Sequence, residues 1–232
     1  MKDRIESQYD GFAEAFTQET EKYNERSRAA FYAMFNFDMS GRRLLDVGCG
    51  DGYDLNEFQK RDVLVEGIDS SKEMIKIAKT RLPETSLIVC PMESLPYEDA
   101  SFDVVTSKYA LQTSRDVPKS ISEMCRVLRP GGILAYLTVH PLRQFLEKGN
   151  SARDYYRQDV VESNFFGGTV TAHEPTHTME EYLNTEFLAQ FQIDYFREHS
   201  DFPSARGING DIYPCFFVLK AQKKTTTSLP KS

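Results

Sequence analysis

Apolar residues recur along this chain with two different periods, and the change from one to the other predicts the fold. Between about Ile5 and Phe37 they are spaced mostly by three, four or seven positions, which predicts amphipathic helices. After Gly41 they form short runs that end in turn residues, which predicts strands. The predicted strands are 44–47, 63–68, 87–90, 102–106 and 132–139.

Helix-like segments separate these strands, at 54–61, 71–81 and 117–128. Regular alternation of strand and helix predicts parallel strands joined by right-handed helical crossovers. Two later segments, 192–199 and 213–221, predict strands that would complete the sheet as an antiparallel edge. We therefore expect an α/β fold with a doubly wound, Rossmann-like sheet of seven strands, mostly parallel, with an antiparallel edge.

A single domain is expected, because 232 residues can bury one core and nothing inside the chain resembles a flexible linker. Residues 142–178 are polar, aromatic and rich in turn formers without a clean period, so we interpret them as an insertion; a helix is expected at 179–189. The predicted organisation is one domain over 1–222, with a helical cap at 1–40, a ligand-binding core at 41–140, a substrate-side insertion at 141–190 and final strands at 191–222, followed by a flexible tail at 223–232.

Composition narrows the classes of partner. The formal net charge of −7 would repel a polyphosphate backbone, so nucleic acid is not expected as a partner. No segment approaches the roughly 18 consecutive apolar residues of a membrane span, so a membrane is not expected either. We expect a cytoplasmic protein that acts on a small molecule, in an oligomeric state that the sequence leaves open. The four cysteines form no CxxC pair and are expected to be reduced, buried thiols.

The strongest chemical signal is the segment Asp46-Val47-Gly48-Cys49-Gly50-Asp51-Gly52, at the end of the first predicted strand. Alternating glycines let the backbone turn sharply and let a ligand approach without meeting a Cβ. In an open parallel sheet, ligands bind at this place, beyond the carboxyl ends of the strands. A dinucleotide-binding turn needs a third glycine where this chain has Tyr53, so NAD fits poorly.

Two carboxylates describe the expected ligand further. Asp46 would repel a pyrophosphate, but it suits a ligand that carries an ammonium or sulfonium charge. Asp69, at the end of the second strand, can accept hydrogen bonds from both hydroxyls of a ribose. Together the two side chains indicate a cationic nucleoside.

Four motifs follow one another between residues 43 and 140: DVGCGDG, GIDSSKEMIKIAK, ESLPYEDASFDVV and EMCRVLRPGG. With them the chain resembles class I S-adenosylmethionine-dependent methyltransferases, in particular the group of ubiquinone/menaquinone C-methyltransferases and natural-product (type 11) methyltransferases. The resemblance implies S-adenosylmethionine as cofactor, S-adenosylhomocysteine as its product, and transfer of the methyl group to a small-molecule acceptor.

The same resemblance implies which residues contact the cofactor. They are Asp46, Gly48, Cys49 and Gly50 at the methionine end, Asp69, Ser70 and Met74 at the ribose and adenine, Met92 and Glu93 at the adenine, and Ser107 and Lys108 at the methionine part. Pro91 stands where many members have an aspartate that accepts the adenine amino group, and it has no backbone N–H to donate. How the adenine is recognised is therefore left open.

Methyl transfer from a sulfonium is a direct displacement, so positioning of the acceptor and exclusion of water can supply much of the catalysis. If the acceptor is a hydroxyl or a protonated amine, a base helps. His140, at the end of the fifth strand, is the candidate for that base or for a substrate contact. Tyr9 is the second catalytic candidate, because its segment resembles the N-terminal cap of the family; core packing is the alternative for its ring.

The insertion supplies the predicted acceptor contacts, with packing as their alternative role: Tyr155, Phe165, His173 and His177. Residues 173–177 also match the H-E-x-x-H pattern of zinc peptidases. That pattern requires a helix, and Pro175 lies inside it. We therefore predict no metal site.

The sequence disfavours several related functions. A nucleobase or protein-glutamine N-methyltransferase would show an Asn/Asp-Pro-Pro-Tyr-like segment where this chain has Ser107-Lys108-Tyr109-Ala110, and an aminopropyltransferase would show an aspartate there. A catechol-type enzyme would need carboxylates arranged around a metal near the cleft. The main alternative is a non-catalytic protein that binds S-adenosylmethionine or S-adenosylhomocysteine as a sensor or assembly factor. The acceptor atom, whether carbon, nitrogen or oxygen, is not predicted.

Overall fold

The computed structural model describes residues 8–23, 25–148, 154–200 and 213–225. In it, strands form where the apolar runs of the sequence predict them. The described strands are β1 (Arg43–Val47), β2 (Leu64–Asp69), β3 (Ser86–Val89), β4 (Phe102–Lys108), β5 (Leu128–Val139), β6 (Val160–Phe165), β7 (Val170–Pro175), β8 (Phe191–His199) and β9 (Phe216–Lys223). The N-terminal end of the predicted cap, up to residue 7, and residues 226–232 of the predicted tail lie outside the described residues.

Helices connect and flank these strands. The described helices are α1 (Ala13–Tyr23), α2 (Glu25–Tyr32), α3 (Tyr53–Gln59), α4 (Lys72–Arg81), α5 (Val117–Val127), α6 (Pro141–Glu147), α7 (Met179–Tyr182) and α8 (Thr185–Gln190), with 3-10 turns at Gln8–Gly11, Leu111–Thr113 and Phe166–Gly168. Side-chain caps fix where two of the crossover helices begin. Ser71 Oγ accepts the Met74 N–H at the start of α4, and the Asp116 carboxylate accepts the Lys119 N–H at the start of α5.

The main sheet has seven strands in the order β3-β2-β1-β4-β5-β9-β8. The first five are parallel, and β9 runs antiparallel to both β5 and β8. This confirms the predicted doubly wound sheet with an antiparallel edge. The chain builds outward from β1 to β3 and then returns to place β4 beside β1, so the strand order reverses between β1 and β4. Ligands bind at such a reversal, outside the carboxyl ends of the strands.

Helices cover both faces of the sheet because neighbouring residues of each strand point to opposite sides. Leu44 packs in a cluster with Phe31 of α2 and Phe58 of α3. Leu45 packs in the other cluster, with Met124 of α5. No helix in the described part of the chain is both long and apolar enough to cross a membrane.

The insertion contains regular structure that the sequence analysis does not assign. Helix α6 follows β5 directly, and β6 and β7 pair in register as an antiparallel hairpin separate from the main sheet. The helix expected at 179–189 is wrong as one element, because it is two helices, α7 and α8. The Asn184 side chain accepts the Phe187 N–H, so it caps a new helix instead of continuing the first one.

A close contact between two loops fixes the reversal point. Gly48 follows β1 with φ of +78°, and a Cβ at this position would lie 2.2 Å from Ala110 Cβ in the loop after β4. Only glycine allows both the left-handed backbone and this approach. Gly41 has a similar φ of +70° but open space where its Cβ would lie.

These two glycines provide a matched pair of variants. Gly41→Ala should lower the free energy of unfolding by about 1–2 kcal/mol, the cost of a left-handed alanine. Gly48→Ala should cost a further 1–3 kcal/mol or so, because it also overpacks the contact with Ala110. Urea unfolding of both variants measures the difference; equal losses would contradict the proposed contact.

Candidate active site

A cavity opens at the carboxyl ends of β1, β2 and β4, where the strand order reverses. Many residues predicted from the sequence as cofactor or catalytic contacts lie in its wall: Tyr9, Gly48, Cys49, Gly50, Asp69, Ser70, Met74, Met92 and Lys108. The wall also contains residues that the sequence analysis does not assign to the site: Phe16, Thr20, Arg28, Asp51, Tyr53, Asp54, Ile68, Cys90, Tyr109, Ala110 and Thr113.

The glycine turn presents backbone to this cavity. The amides of Gly48 and Cys49 both donate to the Ile68 carbonyl, at 2.8 and 2.9 Å, which folds the turn back over the end of β2. Gly50 has φ of +53°, and a Cβ there would meet no atom within 4 Å. A ligand can therefore contact the backbone of the turn directly, as its glycine pattern predicts.

Asp69 lies at the end of β2, with both carboxylate oxygens held by backbone amides. Oδ2 accepts from Gly50 N at 2.9 Å, and Oδ1 accepts from Ser71 N at 2.8 Å. Burial raises the pKa of Asp69, and the bonds from Ser71 and Gly50 oppose that rise. The cap is fastened to the same loop, because Ser71 Oγ donates to Asp10 Oδ1 at 2.6 Å.

Three predicted contacts lie behind or beside the wall. Asp46 is buried and accepts from Thr106 Oγ1 at 2.8 Å; burial, together with the charge of Asp54, raises its pKa to about 7. Ser107 Oγ donates to the Val47 carbonyl at 2.8 Å. Glu93 accepts from Ser114 Oγ at 2.5 Å. Their predicted roles toward the cofactor stay predictions.

A buried ion pair forms the part of the wall between α3 and β4. Lys108 Nζ lies 2.5 Å from Asp54 Oδ2, both side chains are almost completely buried, and Tyr32 Oη donates to Asp54 Oδ1 at 2.6 Å. The next residue, Tyr109, has φ of +53°, a strained conformation for a side chain of this size. Its amide donates to the Leu137 carbonyl at 2.8 Å, which holds the end of β4 in place.

Tyr9 is a residue of the cap that lines the cavity. Its ring packs edge-on against Phe12 and Phe16, with centroids 5.0 and 5.6 Å away, and Phe16 contacts Phe166 at the turn of the β6–β7 hairpin at 5.4 Å. Burial raises the pKa of Tyr9 well above its usual value, and the charges of Glu174 and Asp69 raise it further. The hydroxyl is therefore neutral and able to donate a hydrogen bond.

His140 lies at the end of β5, as predicted, but not in the cavity wall. Its Nδ1 accepts from Leu142 N at 3.0 Å, so Nε2 carries the proton and donates to Glu198 Oε1 at 2.8 Å. Burial lowers the pKa of His140, while Glu198 opposes the shift. Both ring nitrogens are engaged within the protein, and the role of His140 as base or substrate contact stays a prediction.

The four predicted acceptor contacts lie in the insertion, outside the cavity wall. Tyr155 Oη accepts the Met179 N–H at 2.9 Å, and the Phe165 ring lies 6.2 Å from that of Phe166. His173 is exposed on β7, where its backbone pairs with the side chain of Gln8. His177 is buried, with its ring nitrogens 3.2 Å from Glu181 and 3.1 Å from the Gln112 carbonyl. Their roles toward the acceptor stay predictions.

The H-E-x-x-H segment does not form a helix, because His173 and Glu174 lie in the extended strand β7. Glu174 is fully buried and accepts from Ser163 Oγ at 3.1 Å, whereas His173 faces outward. Among the residues that the structure describes, no three or more His, Cys, Asp or Glu side chains are grouped to hold a metal ion.

Arg28, Tyr53 and Asp54 are wall residues without a motif of their own. An acidic residue in the first turn after a glycine loop, as Asp54 is, is a sequence signal that could have been used. Arg28 belongs to a polar helix of the cap, and only the packing of that helix brings it to the wall.

Comparison with known proteins agrees with this geometry. A family model described as a methyltransferase domain matches residues 45–136. The ubiquinone/menaquinone biosynthesis C-methyltransferase UbiE of Campylobacter jejuni is 28 % identical over 169 residues, which cover 68 % of each protein. The structure of an S-adenosylmethionine-dependent methyltransferase from Mesorhizobium loti superposes with a TM-score of 0.68 at 24 % identity, covering 84 % of this chain and 96 % of that one.

The matched segment, residues 45–136, belongs to the methyltransferase domain family, and the comparisons support a class I S-adenosylmethionine-dependent methyltransferase. Both the family and the S-adenosylmethionine cofactor predicted from the sequence are confirmed. The chain spans less than half the length of several relatives that are more than 30 % identical to it. The malonyl-[acyl-carrier protein] O-methyltransferase of Serratia marcescens is 32 % identical over 99 residues, which cover 43 % of this chain and only 39 % of that protein.

The wall of this methyltransferase fits its cofactor. Gly50 offers open backbone, Asp69 offers a carboxylate suited to ribose hydroxyls, and Met74 and Met92 offer apolar surface. The buried carboxyl of Asp46 lies at the end of β1, just before the glycine turn, and suits a ligand that carries a positive charge. The chemical groups in and behind the wall therefore suit a cationic nucleoside.

The ion pair in the wall can be tested by removing one partner. Lys108→Met should lower the free energy of unfolding by about 3–5 kcal/mol, because it leaves the buried Asp54 carboxylate without its cation. The double variant with Asp54→Asn should recover part of this loss. Chemical denaturation measures all three proteins, and a loss below about 1 kcal/mol for the single variant would contradict the pairing.

Proposed function

We propose that this methyltransferase passes the methyl group of S-adenosylmethionine to a small-molecule acceptor by in-line displacement at a carbon, nitrogen or oxygen atom. The observation that carries the proposal is the juxtaposition in one cavity of the glycine turn, Asp69 and the aromatic cap. The names of the relatives favour transfer over the alternative of a non-catalytic sensor. The acceptors in those names belong to the relatives.

Residues of this chain would hold the cofactor at three places. Asp69 would accept hydrogen bonds from the ribose hydroxyls, the turn at Gly48 and Gly50 would support the amino-acid end, and Met74 and Met92 would contact the adenine. When bound, the cofactor supplies a methyl group on a positively charged sulfur, which needs no further activation. The buried acid Asp46 would stabilise that charge in the ground state, and the protein would orient the acceptor toward it.

The cap and the β6–β7 hairpin would exclude water from the cavity. Tyr9 and Phe16 lie in the wall, and the contact between Phe16 and Phe166 joins cap to hairpin over the cavity. These aromatic side chains would keep water from competing with the acceptor for the methyl group. We assign Tyr9 the role of a donor to the acceptor, since its hydroxyl stays neutral. The base role of His140 is the alternative for acceptors that must lose a proton.

Ligand-induced stabilisation tests the cofactor assignment. S-adenosylmethionine and S-adenosylhomocysteine at about 100 times Kd should each stabilise the protein by about 2.7 kcal/mol, which raises Tm by about 5–10 °C, while NAD should not. Asp69→Ala should weaken both effects, whereas Asp99→Ala, an exposed site, should leave them unchanged. Stabilisation by NAD alone would overturn the proposal.

The raised pKa of Asp46 predicts how the affinity for S-adenosylmethionine depends on pH. Because its pKa is raised to about 7, the side chain is partly protonated at neutral pH, and a nearby sulfonium favours the ionised form. The affinity for S-adenosylmethionine relative to the neutral-sulfur S-adenosylhomocysteine should therefore rise between pH 6 and 8, by up to about 10-fold for one linked proton. Isothermal titration calorimetry measures the ratio; Asp46→Asn should make it flat. A ratio independent of pH in the wild type would argue against this role for Asp46.

A further inference from the structure

Arg143 lies beside two glutamates between α6 and the β6–β7 hairpin. Arg143 Nε donates to Glu147 Oε1 at 2.9 Å. Ser163 Oγ lies between the two acids, 3.4 Å from Glu147 Oε2 and 3.1 Å from Glu174 Oε2. Glu174 is fully buried and makes no ion pair with the residues that the structure describes. This group therefore contains one more carboxyl than it has cations.

Glu174 lies next to the part of the cavity wall that the cap forms. The side chain of Gln8 bonds to both backbone groups of His173: it accepts the N–H at 2.8 Å and donates to the carbonyl at 2.9 Å. Tyr9, which lines the cavity, follows Gln8 in the chain. Glu174 follows His173 and faces the inside of the protein. Burial raises the pKa of Tyr9, and the charge of Glu174 raises it further, as expected for neighbouring side chains.

The other acids around the cavity are either paired or placed for the cofactor. Two of them have ion-pair partners, Asp54 with Lys108 and Asp51 with Arg81. Two more lie at the ends of β1 and β2, where the proposed function places the cofactor: Asp46 and Asp69. Glu174 belongs to neither group, because it lies on the side of the cap and the hairpin. Its charge is therefore available to the acceptor.

Aromatic rings line the same side of the cavity. Tyr9 and Phe16 come from the cap, and Tyr109 follows β4. Gln112 connects this last residue to the buried acid, because its Nε2 donates to the Tyr109 carbonyl at 2.8 Å and lies 3.4 Å from Glu174 Oε1. The faces of aromatic rings attract cations. Aromatic surface with a carboxyl behind it suits a positively charged nitrogen.

The charge left after methyl transfer depends on the class of acceptor. A neutral amine, which has left its extra proton in solution, donates its lone pair to the methyl carbon. The carbon–sulfur bond breaks with its electron pair on sulfur, so the positive charge passes from sulfur to nitrogen. A hydroxyl that loses its proton ends as a neutral ether, and a carboxylate ends as a neutral ester. An amine therefore keeps a cation in the cavity, which a nearby fixed negative charge stabilises.

We propose that the acceptor is an amine, and that Glu174 stabilises the positive charge that develops on its nitrogen at the aromatic wall formed by Tyr9, Phe16 and Tyr109. The inference rests on the proposed function and names the class of its acceptor. Glu174 is a positioning residue, because it acts from behind the wall and does not line the cavity. Burial raises the pKa of Glu174, whereas the charge of Arg143 opposes that rise, and a cation in the cavity would favour the ionised form further.

Acceptors that share a skeleton but differ in functional group test the proposal. Benzylamine, phenethylamine and tryptamine would each be compared with the alcohol and the carboxylic acid of the same skeleton, with methyl-tritiated S-adenosylmethionine as donor. Values of kcat/KM would be measured for the wild type, Glu174→Gln and the control Glu162→Gln. Glu162 is exposed on β6 of the same hairpin, so its replacement makes the same chemical change at the surface. Binding of S-adenosylhomocysteine shows that each variant is folded.

The wild type and Glu162→Gln should methylate the amines at least about 10-fold faster than the alcohols and acids. Glu174→Gln should lower kcat/KM for the amines about 10-fold and leave the other acceptors within about 2-fold, because the lost charge acts only on a cationic nitrogen. Faster transfer to alcohols or acids in the wild type, or an equal loss for all acceptors in Glu174→Gln, would overturn the proposal and leave the proposed function intact. A wild type that binds S-adenosylmethionine but methylates none of the acceptors would overturn the proposed function itself.

Discussion

The contact between the turn after β1 and the loop after β4 determines the shape of the cleft. The two loops meet at Gly48 and Ala110, with no room for another side chain between them. β1 has β2 on one side and β4 on the other, so the helices that follow β1 and β4 leave in opposite directions and open a crevice above this contact. The glycine turn, the end of β2 and the end of β4 all reach the same cavity as a result.

Charge in this crevice is arranged for a ligand and not for stability. Asp46 and Asp69 are buried, and burial raises the pKa of each carboxyl, so ionising them costs free energy in the ligand-free protein. Backbone amides, Thr106 and the Lys108 ion pair offset only part of that cost. A positively charged ligand would offset more of it. The buried carboxylates of the crevice therefore suit a positively charged ligand.

The sequence predicts the elements whose side chains follow one simple pattern of burial. Strands of the parallel sheet are buried on both faces and therefore stand out as continuous apolar runs, which is why β1, β2, β4 and β5 were predictable. The hairpin was not, because its inward positions alternate between apolar residues and the buried polar residues Ser163 and Glu174, which bond to each other. Because polar residues occupy some of the inward positions, the alternation of apolar and polar residues that predicts a strand is lost.

The residues of the candidate site also divide into those that local sequence predicts and those that it does not. The glycine turn and Asp69 belong to short motifs, so local sequence predicted that they would lie together. Arg28 and Tyr109 reach the wall through long-range packing and a strained backbone, neither of which leaves a local pattern. His140 was placed correctly at the end of β5, but its partner Glu198 lies on β8, 58 positions away in the sequence, and that pairing could not be anticipated.

A crystal structure of the protein with S-adenosylhomocysteine tests the central claim most directly. The account predicts electron density in the cavity at the ends of β1, β2 and β4, with the ribose hydroxyls within hydrogen-bond distance of the Asp69 carboxylate and the amino-acid end against the backbone of Gly48 and Gly50. Density for the ligand at another place on the protein, or a ribose bound without Asp69, would contradict it.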